Sequence, residues 1–216
     1  MAGVQGKVIL ISGAGRGLGR AMALGFAGQG ARVAANDITP VNLDHTLAQL
    51  QASGGQARDY VFDVGKLMPV NSLVEAVLDD WGRIDVLINC AGVMPHAALL
   101  EMDEWDWWRT LDVNLSGAFY LIQRVGRVMR DAGGGVMINV TAAPEPPGGR
   151  AGRAAFRVSK AGLAALSAEA AVELAPCGIQ VHTLALELDP AGEFGEQQAQ
   201  RAVAQALAWS SGGGPA

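Results

Sequence analysis

The run Val8-Ile9-Leu10-Ile11-Ser12-Gly13-Ala14-Gly15-Arg16-Gly17-Leu18-Gly19 decides how the rest of the chain is read. Residues 8–12 are apolar and β-branched, which predicts a strand, and the glycine cluster that follows at once is a tight turn. Residues 18–28 then set Leu18, Ala21, Met22 and Phe26 on one helical face. In a strand–turn–helix setting glycines let the backbone approach a pyrophosphate, and the N–H groups of the first helical turn add donors and positive potential. The same glycines elsewhere would be only a structural turn. The strand before and the helix after make a dinucleotide loop the better reading.

The alternation continues outward from that loop. Residues 31–36 predict a second strand, entered through Gly28-Gln29-Gly30. A helix over 42–52 stops at Ser53-Gly54-Gly55, and 58–62 form a third strand. Val70, Val74, Val77, Leu78 and Trp81 make one stripe of a helix over 70–81, followed by a fourth strand at 84–89. A long helical stretch over 103–131, bent near Gly117, leads to a fifth strand at 136–140. A second long helix spans 154–174, a sixth strand 179–186, and a last helical run 201–209. Strands without polar alternation are buried on both faces, which implies a parallel sheet wrapped by helices. Right-handed crossovers make this a doubly wound, Rossmann-type α/β fold. No linker divides it, so residues 1–216 are expected to be one dinucleotide-binding domain, with 210–216 a loose glycine-rich tail.

The composition agrees. The 216 residues are 50% apolar and 17% charged, which excludes a disordered chain. Folding at this size buries roughly 70% of the unfolded surface, enough for one sizeable core. The 29 glycines follow no collagen period. A net charge of −5 argues against a nucleic-acid partner. Cys90 and Cys177 cannot make a disulfide framework and suit a reducing compartment. With no targeting segment and no apolar run near 18 residues, no membrane span and a cytoplasmic location are expected. No His/Cys cluster has metal-ligand spacing, so no metal is expected.

Asp37 ends the second strand about 20 residues after the glycine loop. A carboxylate there accepts hydrogen bonds from ribose hydroxyls and repels a 2′-phosphate, so it predicts NAD over NADP. Arg16, whose guanidinium can meet a phosphate, is a weaker signal the other way.

Together these segments resemble the short-chain dehydrogenase/reductase (SDR) family. Ser12–Gly19 is similar to its Thr-Gly-x-x-x-Gly-x-Gly loop, and Asn89-Cys90-Ala91-Gly92 to its Asn-Asn-Ala-Gly. Asp63-Val64 resembles its adenine-binding pair. Asp112-Val113-Asn114 resembles the segment with its helix asparagine, and Phe156-Arg157-Val158-Ser159-Lys160 falls where it has Tyr-x-x-x-Lys. The match runs from about Lys7 to Val181. The resemblance implies cofactor contacts from Ser12, Gly13, Arg16, Gly17, Leu18, Gly19, Asp37, Asp63, Val64, Asn89, Ala91, Gly92 and Lys160.

It also marks four departures. The family's tyrosine exchanges the substrate proton, with a lysine at i+4 lowering its pKa and holding the nicotinamide ribose; here Lys160 remains but Phe156 has no titratable proton. The serine that polarises the carbonyl is replaced by Ala142 or Ala143, with Thr141 the nearest hydroxyl. Pro-Gly after the sixth strand is replaced by Leu186-Glu187, and no seventh strand follows residues 201–209. None of the family's catalytic set at Asn114, Ala142, Phe156 and Lys160 is therefore expected to work intact.

Several other residues were candidates for the lost chemistry. His96 is the nearest histidine to the expected pocket and the natural substitute acid–base group. His45 on an early helix and His182 inside a strand are less well placed. Glu145 and Glu187 lie near the relevant loops, Ser159 reads as a packing residue, and Cys90 as a small buried hydrophobe. Trp105 and Trp108 share a helical face, open either to a subunit interface or to the cleft.

The expectation is a catalytically deficient NAD-binding subunit, the inactive partner of an active dehydrogenase in a hetero-oligomer, as the family includes such pairs. One alternative is an NAD-dependent oxidoreductase with a rearranged site that uses His96 or a water. The other is a stand-alone NAD-binding scaffold or sensor. Contact with an intact homologue or a second copy is expected through the 103–131 and 154–174 helices. On the latter, Leu163, Leu166, Ala170 and Leu174 form a stripe that Ala161, Ala164, Ala165 and Ala168 widen.

Overall fold

The computed structural model describes residues 3–143, 151–187 and 195–212. Six parallel strands, β1 (Val8–Ser12), β2 (Arg32–Asp37), β3 (Gln56–Val61), β4 (Val86–Asn89), β5 (Gly135–Ala142) and β6 (Ile179–Leu186), form one sheet. Their order is β3-β2-β1-β4-β5-β6. The chain reverses direction across the sheet between β1 and β4, which pair in parallel from Ile9↔Val86 to Ser12↔Asn89. In open sheets of this kind, ligands sit at that reversal, beyond the carboxyl ends of the strands. Among the described residues there is no seventh strand.

The helices α1 (Gly17–Ala27), α2 (Pro40–Ala52), α3 (Leu67–Trp81), α4 (Glu104–Leu111), α5 (Gly117–Asp131), α6 (Ala154–Leu174) and α7 (Glu196–Ser210) cover both faces. On one face Leu18, Met22 and Phe26 of α1, Leu43 and Leu50 of α2, and Ala202 and Ala206 of α7 pack on Ile9, Ile11, Val33 and Ile88. On the other, Val70, Val74 and Val77 of α3, Leu121 and Val125 of α5, and Ala170 of α6 pack on Val8, Leu10, Leu87 and Met137. Alternate residues of β1 thus serve opposite faces, so Val8–Ile11 are all apolar and the whole strand is buried.

The edge strands depart from two-sided burial. On β3 only Tyr60 is buried, and β6 alternates buried with exposed positions, because each has a neighbour on one side only. The single bent helix expected over 103–131 is instead α4 and α5 joined by a π-turn at Asp112–Ser116, which carries Asn114. Ser210 does not belong to a loose tail. It is the last, buried residue of α7, and the ammonium of Lys7 donates to its carbonyl at 2.7 Å. Ser211 and Gly212 form a turn, and 213–216 lie outside the described residues, as do Glu145 and residues 188–194. None of the described helices is long and apolar enough to cross a membrane.

Candidate active site

The turn between β1 and α1 builds one end of the site. Gly13 has φ 72°, and a Cβ there would lie 2.7 Å from the Cα of Ala91. A Cβ on Gly19 would collide with the Gly13 carbonyl, so α1 starts tight against its own loop. Arg16 precedes α1 in extended conformation and no side chain caps the helix, leaving its first N–H groups unclaimed by a side chain. Ser12 Oγ accepts from the N–H groups of Cys90 and Ala91, each at 3.2 Å, and so ties the end of β1 to the end of β4.

A cleft of about 980 Å³ opens above these strand ends. Gly13, Arg16, Gly17, Leu18, Gly19, Asp37, Asp63, Val64, Ala91, Gly92, Phe156 and Lys160 all line it. At one end the Asp37 carboxylate is fixed by the N–H of Gly15 at 3.1 Å and the N–H of Thr39 at 3.0 Å. Asp63 is held in the cleft wall by an ion pair. Its carboxylate accepts from Arg109 at 2.9 Å and from the N–H of Gly65 at 2.9 Å. Arg109, Trp105, Asp106 and Thr110 of α4 complete that wall. Sequence reasoning missed them because helical spacing shows which residues share a face but not what that face meets.

Three of the residues assigned to the site lie behind the cleft. Ser12 acts as the strap just described. Asn89 donates at 2.7 Å to Asn139, which donates at 2.8 Å to Ser167, in a buried chain across the sheet. Asn114 grips Val93 twice, accepting from its N–H at 2.8 Å and donating to its carbonyl at 2.9 Å, and also donates to Ser159 at 3.0 Å. It therefore shapes the loop that forms the cleft wall. Ala142 and Ala143 bring no hydroxyl, and Thr141 is buried.

At the far end Phe156 and Lys160, one turn apart on α6, share the cleft-facing side. The Lys160 ammonium donates to the Val140 carbonyl at 2.8 Å and stands 5.9 Å from the centre of the Phe156 ring. Burial pushes its pKa down to about 8, against a smaller opposing pull from Cys90. Burial likewise pushes the Cys90 thiol up to about 11, so it stays protonated and is no nucleophile at neutral pH. His96 is exposed and packs over Gly152, away from the cleft-lining residues. Glu187 is exposed at the end of β6, and His182 stacks on Trp209 at 4.5 Å. No cluster of metal-binding side chains occurs among the described residues.

These features fit a dinucleotide. Glycine backbone and uncapped helix N–H groups stand at the middle, a fixed carboxylate at one end and an amine at the other.

The sequence profile of the short chain dehydrogenases matches residues 7–188. D-threitol dehydrogenase of Mycolicibacterium smegmatis is 37% identical over 181 residues, covering 84% of this chain and 69% of that protein. A 3-oxoacyl-[acyl-carrier-protein] reductase of Thermotoga maritima is 37% identical over 182 residues, covering 84% of this chain and 74% of its own. The crystal structure of an NAD+-bound xylitol dehydrogenase superposes with a TM-score of 0.81 at 33% identity, over 87% of this chain and 72% of its own. Relatives this similar are named as working dehydrogenases and reductases, which overturns the expectation of a catalytically deficient subunit. Physically, the loss of the phenol removes one proton donor while the cleft, its phosphate loop and Lys160 remain in place. The profile match, the strand order and these similarities together establish that the chain belongs to the short-chain dehydrogenase family, whose fold binds a nicotinamide cofactor.

Proposed function

We propose that the chain is an NAD-dependent oxidoreductase that interconverts an alcohol and a carbonyl in a rearranged active site. The observation that carries this reading is the single cleft running from the Asp37 carboxylate to the Lys160 ammonium. Gly13, Gly17 and Gly19 give the phosphates backbone access, and Asp37 accepts from the ribose hydroxyls while disfavouring a 2′-phosphate. Lys160 stands at the nicotinamide end, and Asn114 holds the Val93 loop beside it. When bound, the dinucleotide supplies or accepts the hydride. Polyols and 3-oxoacyl thioesters are the substrate classes to try first, because relatives are named for them. The free thiols of Cys90 and Cys177 support a cytoplasmic location.

The test is cofactor titration followed by turnover. NAD should bind more tightly than NADP by roughly tenfold or more, about the value of one charged contact. Asp37→Ala should weaken NAD and narrow the gap. Equal affinity of the parent for both refutes the assignment of Asp37. NAD binding without turnover across polyols, ketoses and 3-oxoacyl thioesters replaces the enzyme with a dinucleotide-binding scaffold.

A further inference from the structure

Resting on that oxidoreductase reading, we propose that Lys160 is itself the proton donor and acceptor for the substrate oxygen, in place of the absent phenol. Phe156 occupies the position from which a tyrosine would act, and it carries no proton. The next side chain along the same face of α6 is the Lys160 amine. It is buried at 6% exposure yet lines the cleft, so it is shielded from bulk water and open to a ligand. One of its three N–H bonds is spent on the Val140 carbonyl, which anchors the group and leaves two for a ligand. Gly92 lies beside it, since a Cβ there would stand in van der Waals contact with Nζ at 3.7 Å.

The groups facing this amine make it a usable acid–base. Among the described residues no carboxylate pairs with it, and the titratable neighbour is the Cys90 thiol from the loop after β4. From β5 it meets a backbone carbonyl, from α6 the Phe156 ring, and near the π-turn the neutral amide of Asn114. An ammonium so buried and unpaired titrates near pH 8, close to where general acid–base catalysis is most efficient. A lysine paired to a carboxylate would hold its proton far too tightly.

The step balances as follows. In reduction, the carbonyl carbon takes a hydride from the reduced nicotinamide dinucleotide and the C=O π pair moves to oxygen. The oxygen takes a proton from Lys160 Nζ, giving the alcohol and a neutral amine. The amine then recovers a proton from water. Oxidation runs these transfers in reverse.

The experiment follows the lysine 13Cε signals of labelled protein through a pH titration, beside dinucleotide affinity and the pH profile of kcat. The lysines are Lys7, Lys66 and Lys160, so Lys160→Met assigns the signal directly. Lys160 should titrate near pH 8, and kcat for reduction should fall above the same midpoint. Lys160→Arg keeps a charge but cannot release a proton, so at saturating dinucleotide it should lose roughly 100-fold in kcat and the fall of kcat above pH 8 should disappear. Lys160 titrating above pH 10, or Lys160→Arg turning over at the parent rate, overturns the proposal and leaves the oxidoreductase reading standing. A parent that reduces no ketose or 3-oxoacyl thioester, with Lys160 still titrating near 8, refutes the oxidoreductase reading and this proposal with it.

Discussion

A buried amine that pairs with no carboxylate among the described residues leaves a mark on stability as well as on chemistry. The folded-state pKa of Lys160 is depressed from 10.5 to about 8. Between those values the unfolded chain binds a proton that the folded chain has released, so this residue makes stability rise with pH across the window. Relative to Lys160→Met, the parent should gain up to about 1.4 kcal/mol per pH unit from pH 8 to 10.5, read by urea unfolding at each pH. The comparison with the variant is needed because Cys90, raised from 9.0 to about 11, tilts stability the other way over part of the range. A gap that stays flat with pH contradicts the burial of the charge. Asp37 and the glycines were legible as letters in the sequence, since each acts through its own chemistry at the end of its own strand. The isolation of Lys160 and the Arg109–Asp63 pair were not, because both arise where separate elements meet. His96 is exposed, as a loop histidine commonly is, and nothing local in the sequence fixes which way such a side chain turns.

At the scale of elements, central strands read well and edges poorly. β1 and β4 are wholly buried, and each is apolar up to its last residue, Ser12 or Asn89. β3 begins two residues earlier than expected, because Gln56 and Ala57 pair with Arg32 and Val33 without carrying any apolar signal of their own. The π-turn between α4 and α5 was seen only as a bend, since an inserted residue shifts helical phase without changing composition. That insertion turns Asn114 onto Val93 and Ser159. Asn114→Ala should therefore loosen the cleft wall and cost about 1–3 kcal/mol, the usual effect of leaving buried backbone groups unpaired. Thermal and urea unfolding measure it, with a shift below a few tenths of a kcal/mol counting against the clamp. Dinucleotide affinity should fall too, since the same loop lines the site.

At the scale of the molecule, the α5–α6 side carries an apolar groove. A groove of about 370 Å³ runs between these helices, with Phe119, Ile122, Leu166 and Ala170 in its lining. Val158, Ala165, Ala168 and Val172 stand exposed on α6, small or apolar where a solvated helix would be charged. We propose a homodimer through this face. Light scattering should report a dimer for the parent, and Ala165→Glu should give a monomer with an unchanged circular dichroism spectrum. A parent that is monomeric at high concentration rules this face out. The fold class was legible before any of this, because repeated strand–helix alternation constrains topology strongly.

The docking of α7 on α1 has a consequence for how the chain is made. The Lys7 ammonium meets the carbonyl of Ser210, a span of 203 residues, and Ala202 and Ala206 close over the stripe of Met22 and Phe26. At a synthesis rate of roughly 5–20 residues per second, the nascent N-terminal half waits on the order of 10–40 s for the helix that seals it. Through that interval the Met22 and Phe26 flank of the nucleotide-loop helix lacks the helix that covers it in the folded chain.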